Sequence, residues 1–244
     1  MKITVTGRNG RMGQTVLQAI SDNPGTEEHS THDAGEDLVA ALAGSDAVID
    51  FTLHSFTAEL LAAALENDTR LVIGTTGHSE DERDLIRAAA KKIPIVYAPN
   101  FSVGVSTLFW LTRHAARILG NDQFDLEVTE MHHRHKIDAP SGTARRLLEI
   151  LNEETGTSYD DDVAHGRFGN IGARPSKEIG MHTLRGGDVV GDHTVMFAAE
   201  GERVELTHKA SSRMTFASGA VRAALWLADK PAGLFDMQDV LGLD

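Results

Sequence analysis

The chain contains no cysteine. That excludes a disulfide framework and a thiol nucleophile, and it fits a reducing compartment. Basic residues are scarce as well: 23 Lys and Arg stand against 36 Asp and Glu, a formal net charge of −13. Wholesale nucleic-acid binding needs a broad basic surface, so that class falls away. No apolar run approaches the length of a membrane span. The opening Met-Lys-Ile-Thr-Val-Thr-Gly enters a strand at once, which leaves no room for a cleavable leader. A cytoplasmic protein without membrane or nucleic-acid partners is expected. Internal repeats and low-complexity tracts are also missing.

What is present is an ordinary globular composition, 41% hydrophobic and 24% charged, over 244 residues. That is enough for one large domain or two modest ones. Residues 2–6 read as a strand, followed by a helix over 11–22 with Met12, Val16, Leu17 and Ile20 on one stripe. Strands at 47–52, 71–76 and 94–98 alternate with helical stretches at 55–66 and from Ser79 onward. This alternation predicts βαβ units on a parallel sheet, whose ligands lie beyond the carboxyl ends of the strands. Residues 23–45 are polar and weakly patterned. Past residue 103 the pattern changes: a helix over 104–119, a strand at 124–129, a helix over 143–153 and a polar, Gly-rich loop over 154–176. Strands near 178–185, 192–199 and 203–209 and an apolar helix over 213–228 complete the reading. The expected fold is therefore α/β. A Rossmann-type dinucleotide-binding domain spans 1–103, a mixed α+β sheet domain spans 104–212, and residues 213–244 return to the first domain.

Gly7-Arg8-Asn9-Gly10-Arg11-Met12-Gly13 joins the first strand to the first helix. Glycines at this spacing permit a tight turn and close approach of backbone to a pyrophosphate at a helix N-terminus. A glycine triplet alone is weak; between a strand and an amphipathic helix it predicts NADH or NADPH as cofactor. The alternative is a tight turn without a ligand. Asp33 lies where an acidic residue holds the adenosine ribose, and an acid there favours NADH by repelling a 2′-phosphate. Arg11 can reach such a phosphate, so the preference stays open.

The run Glu130-Met131-His132-His133-Arg134-His135-Lys136 places five potentially cationic side chains in consecutive positions. Pro140-Ser141-Gly142-Thr143 follows and reads as a helix start whose first N–H groups can hold an anion. Cations beside a helix N-terminus make a carboxylate or phosphate receptor, and His with Lys can move protons. The competing readings are a solvated charged loop and a metal site using His132 and His135. No Cys, HxxxH or HExxH pattern supplies further ligands, so no metal is expected.

Six segments together resemble the 4-hydroxy-tetrahydrodipicolinate (dihydrodipicolinate) reductase family. They are Gly7–Gly13 (GRNGRMG), Val48–Thr52 (VIDFT), Gly74–Gly77 (GTTG), Ala98–Gly104 (APNFSVG), Glu130–Ala144 (EMHHRHKIDAPSGTA) and His208–Ala220 (HKASSRMTFASGA). The resemblance implies that Gly7–Gly13 hold the pyrophosphate. It implies that Gly74, Thr75, Thr76 and Gly77, with Ala98, Pro99, Asn100 and Phe101, surround the nicotinamide. It matches His132 to a proton donor and Lys136 to a second catalytic cation. His133, Lys136, Ser141, Gly142 and Thr143 are the expected contacts for a cyclic imine dicarboxylate, and a homotetramer is implied. Residues 21–45 depart from the family pattern, where the second strand and helix look reduced; that weighs on Asp33 more than on the reaction. A reductase of another small dicarboxylate and a nucleotide-sensing module without turnover are the rival readings. Neither accounts for the His/Lys run.

Overall fold

The computed structural model describes residues 1–243. The chain divides into two compact units, residues 1–103 with 213–244 and residues 104–212. In the first, β1 (Lys2–Thr6) leads into α1 (Arg11–Asp22), then β2 (Glu27–His32), α2 (Leu38–Leu42), β3 (Ala47–Asp50), α3 (Thr57–Glu66), β4 (Arg70–Ile73), α4 (Glu80–Ala89) and β5 (Pro94–Tyr97). Helix α5 (Val103–Leu119) opens the second unit, with β6 (Asp125–His132), α6 (Gly142–Thr155), α7 (Tyr159–Asp162), β7 (Val163–His165), β8 (Ile179–Arg185), β9 (Gly191–Ala199) and β10 (Glu202–Ala210). The chain then re-enters the first unit as α8 (Met214–Trp226), β11 (Gly233–Phe235) and α9 (Met237–Leu241).

The first sheet has the order β11-β5-β4-β3-β1-β2, and every pairing in it is parallel. Its central strands are apolar on both faces, as a sheet covered on both sides requires. Ile3, Val5, Ile49 and Val72 pack with Val16 and Ile20 of α1 and with Ala217, Ala220, Val221 and Ala224 of α8. Leu60, Leu61, Leu71, Ile73, Ile86 and Ile95 form the other core, shared with α3 and α4. Helix α4 starts where Ser79 caps it, with Glu82 completing the reciprocal box.

Residues 21–45, where a reduced second strand and helix are expected, hold one short element of each kind. Glu27–His32 forms a six-residue strand on the sheet edge, and Asp37 caps the five-residue helix α2. An edge strand pairs on one side only, so it needs little apolar pattern, and its polar sequence concealed it. Other segments also differ from expectation. The strands expected to reach Thr52 and Thr76 stop at Asp50 and Ile73, and Gly74–Gly77 lie in the loop beyond β4. The Gly-rich stretch after α6 holds α7 and β7. β11 and α9 lie beyond the last element expected, the helix over 213–228.

The second sheet, β10-β9-β6-β8-β7, is mixed. β6 is antiparallel to β9 and parallel to β8. Its core holds Leu126, Val128, Ile179, Val195 and Phe197 against Leu147, Leu148 and Leu151 of α6. β6 runs three residues past its expected end and stops at His132.

Candidate active site

In the first unit the glycine loop is shaped by contacts that side chains would destroy. Gly7 sits at φ +67°, a backbone region costly for residues with a Cβ. A Cβ on Gly13 would lie 2.1 Å from the Gly7 carbonyl oxygen, so only glycine lets α1 start this close to the turn. Gly10 N–H closes the turn onto Gly7 O at 2.9 Å. Gly10 is the N-cap of α1 and offers no side-chain cap, which leaves the first-turn amides to an anion. Asn9, Gly10 and Arg11 are exposed and Met12 is half-buried. This is a cradle that fits a pyrophosphate.

Asp33 follows directly on β2, and its Oδ2 accepts the Asn9 N–H at 3.1 Å. The acid expected at the ribose is thus tied to the glycine loop. Beside it stands a pair that sequence reasoning missed. Arg8 donates to Thr31 Oγ1 at 3.1 Å and to Glu36 Oε2 at 2.7 Å. The Arg8 guanidinium, and then the Asp33 N–H, hold the Glu36 carboxyl at about 2.

At the carboxyl ends of β1, β3 and β4, buried Asp50 collects three hydroxyl donors: Thr6 at 2.6 Å, Thr52 at 2.7 Å and Thr75 at 2.5 Å. Thr75 Oγ1 also accepts the Thr52 N–H at 2.8 Å, so one carboxylate locks two neighbouring loops. A Cβ on Gly74 would lie 2.1 Å from the Phe51 ring, which explains glycine there. Thr76 and Gly77 are exposed. In the next loop Ala98 and Phe101 are buried, Phe101 edge-on to Phe51 at 5.7 Å. Pro99 is exposed, and Asn100 Oδ1 accepts the Ser102 N–H at 2.8 Å.

In the second unit the inward face of β6 reads Leu126, Val128, Glu130, His132, apolar at its base and polar at its end. His132 Nδ1 lies 2.5 Å from Glu130 Oε2. Its Nε2 has no hydrogen-bond partner among the described residues. After His132 the chain turns, with Lys136 N–H on His133 O at 3.1 Å. Lys136 Nζ pairs with Asp138 Oδ1 at 2.9 Å. His133 is half-buried, and Arg134 and His135 are exposed. Ser141 caps α6 through Ala144 N–H, donates its own N–H to Glu130 Oε1 at 3.0 Å, and places Oγ 3.0 Å from His193 Nε2. Its amide and hydroxyl are thereby engaged inside the unit. Gly142 is exposed with open space where a Cβ would stand, and Thr143 is half-buried. The second unit thus gathers His132, Lys136 and an approachable helix N-terminus around one turn. No group of three or more His, Cys, Asp or Glu side chains able to hold a metal occurs among the described residues. No described helix is long and apolar enough to cross a membrane.

Sequence reasoning assigned nothing to Glu130, Arg185 or His193. Glu130 was legible in principle, because residues two apart on a strand share a face. Arg185 and His193 meet β6 only through sheet register, Arg185 opposite His132 and His193 opposite Glu130. No local pattern announces that.

Comparison with known proteins bears on the same segments. Residues 1–101 match the family described as dihydrodipicolinate reductase, N-terminus, and residues 104–241 its C-terminus. A 4-hydroxy-tetrahydrodipicolinate reductase of Akkermansia muciniphila is 64% identical over 243 residues, covering 100% of this chain and 98% of that protein. One from Chromobacterium violaceum is 50% identical, covering 99% and 98%. Among solved structures, a dipicolinate-bound dihydrodipicolinate reductase from Paenisporosarcina sp. TG-14 superposes with a TM-score of 0.78 over 98% of each chain. At 24% identity it speaks for the fold. The two domain matches, end to end, and the full-length relatives show that this chain belongs to the dihydrodipicolinate reductase family.

Proposed function

We propose that the chain reduces 4-hydroxy-tetrahydrodipicolinate to tetrahydrodipicolinate with a nicotinamide dinucleotide, in lysine biosynthesis by way of diaminopimelate. Family membership names the reaction. The observation that carries it at the level of residues is the end of β6, where His132 has Nδ1 committed and Nε2 free, beside Lys136 and the start of α6.

The dinucleotide would be held by Gly7, Arg8, Asn9, Gly10, Arg11, Met12 and Gly13 at its pyrophosphate. Asp33 and Glu36 would lie at the adenosine ribose, and Gly74–Gly77 with Ala98–Phe101 at the nicotinamide. Bound there, it supplies a hydride to ring C4 of the substrate. The other events belong to the protein. The substrate is a dianion, so it needs cations and amides: Lys136, His133 and the N–H groups of Gly142 and Thr143 supply them. Loss of the 4-hydroxyl as water leaves a conjugated ring imine. Reduction at C4 converts it to an enamine, which requires one proton at carbon. His132 delivers that proton from Nε2, and Lys136 stabilises the negative charge that develops while it is missing.

Both NADH and NADPH are proposed as reductants. Asp33 and Glu36 favour the first, while Arg8 and Arg11 offer cations to the 2′-phosphate of the second. A cytoplasmic homotetramer is proposed on the family resemblance. The test is oxidation of NADH and NADPH with substrate generated from pyruvate and aspartate semialdehyde. Turnover with either supports the reading. Binding of NADH without oxidation would return the chain to the sensing module considered above.

A further inference from the structure

Glu130 is fully buried, in a position that continues the apolar row of Leu126 and Val128. A leucine there would carry no desolvation cost, whereas a buried carboxylate costs several kcal/mol unless every lone pair is met. Every one is met. Arg185 grips it bidentately, Nη1 to Oε2 at 2.9 Å and Nη2 to Oε1 at 3.0 Å. The Ser141 N–H reaches Oε1 at 3.0 Å, and His132 Nδ1 lies 2.5 Å from Oε2. Arg185 is itself fixed by the Asp138 carbonyl at 2.6 Å. Burial opposes ionisation of Glu130, but the bonds from His132, Arg185 and Ser141 outweigh it and hold its carboxyl at about 2.

We propose that Glu130 is a positioning residue: its carboxylate, oriented by Arg185, keeps a proton on His132 Nδ1 and leaves Nε2 as the atom that delivers the reaction's proton. The inference rests on the reading of His132 as proton donor. A second observation bears on the same geometry from the opposite side of the ring. Gly191, the first residue of β9, is buried against it, and a Cβ there would lie 2.9 Å from His132 Nε2. Glycine at this strand end lets the ring lie where Glu130 can hold it.

The charged and titratable groups around His132 come from every packed strand. Glu130 is on β6, Arg185 on β8 and His193 on β9, with Lys136 and Asp138 in the following turn. His208 on β10 stands opposite His193. His193 meets His132 edge-on, ring centres 5.1 Å apart. Burial first, and then the charge of His132, push His193 down to about 3, so it stays neutral. Burial also lowers His208. Within hydrogen-bond reach of His132, Glu130 is the ionised group, and Arg185 is its counter-charge.

Two variants therefore move the pH profile in opposite directions. Glu130→Gln removes the negative charge beside the imidazolium. It should lower kcat on the order of a hundredfold or more, leave KM and NADH affinity within about threefold, and shift the basic limb of kcat to lower pH. Arg185→Gln leaves the carboxylate uncompensated and should shift that limb to higher pH. Nitrogen-15 NMR of His132 in the unmodified protein should show the neutral ring protonated at Nδ1, a readout independent of turnover and of either variant's folding. A merely structural Glu130 predicts an unmoved limb in both folded variants. That result, shifts of the same sign, or a neutral ring protonated at Nε2 would overturn the inference. If the unmodified protein oxidised no cofactor, the reaction assignment would fall instead, while the NMR result would still judge the geometry.

Discussion

Lys136 is engaged before any substrate arrives, since its ammonium lies 2.9 Å from the half-exposed Asp138 carboxylate. Burial raises the Asp138 carboxyl, yet the Lys136 contact outweighs it and lowers the group overall. If Lys136 anchors the substrate as proposed, a substrate carboxylate must take over that ammonium. Lys136→Ala should lower kcat/KM more than about a hundredfold while NADH affinity changes only a few-fold, because an anion left without its cation costs several kcal/mol. Asp138→Asn should lower KM by removing the competitor; steady-state kinetics on both variants checks the pair. At His132 the expected loss is of another kind. His132→Gln keeps a hydrogen-bonding group but no useful acid, so kcat and kcat/KM should fall together, on the order of a hundred to ten thousandfold. Binding of a pyridine dicarboxylate, measured by calorimetry, should be nearly normal. His133→Gln should raise KM more than it lowers kcat. If both variants retained full turnover, the cationic run would be only a charged loop.

Elements were legible where periodicity was strong. α1 carries a clear apolar stripe and occupies the residues expected of it, and α4 begins at the Ser79 cap that announced it. β2 was hidden because an edge strand needs no alternation, and its sequence Glu-Glu-His-Ser-Thr-His shows none. That strand delivers Asp33, and Glu36 beyond it, to the glycine loop. If these acids read the ribose, Asp33→Asn and Glu36→Gln should each raise the NADPH to NADH preference by removing like-charge repulsion. An unchanged ratio of kcat/KM values would place the ribose elsewhere. The cationic run stood out in the sequence, but the carboxylate and guanidinium packed against it did not, since Arg185 arrives from a strand paired in register 53 positions away. Helix packing gives a further test. A Cβ on Gly219 of α8 would lie 1.8 Å from the Phe101 carbonyl oxygen, backbone that cannot rotate aside. Gly219→Ala should therefore cost about 1–3 kcal/mol in urea unfolding.

The whole molecule should weaken in acid in two stages. His193 is pushed from the ordinary histidine value near 6.5 down to about 3 in the fold. Below pH 6.5 the unfolded chain therefore binds a proton that the folded one refuses, and stability falls with pH toward 3. Burial opposes ionisation of Glu127, but Arg167, His182 and Arg174 hold it at about 2, as Glu130 is held by its own partners. Their contribution is complete above about 4.5 and is lost as pH falls toward 2. Melting temperature should thus begin to decline below pH 6.5, and His193→Gln should make the upper stage of that decline shallower, leaving the part that His78 and His208, also lowered by burial, contribute. The order of the strands carries a consequence of a different kind. Of the nineteen buried residues in the core under β1 and β3, eight come from residues 217–240, and β11 completes the sheet beside β5. The buried residues of the second unit's core all lie between residues 105 and 197. As the chain leaves the ribosome, the later-starting unit is therefore the first able to fold. The glycine cradle, although it precedes that unit along the chain, waits with its core unsealed until residues 217–240 have been added.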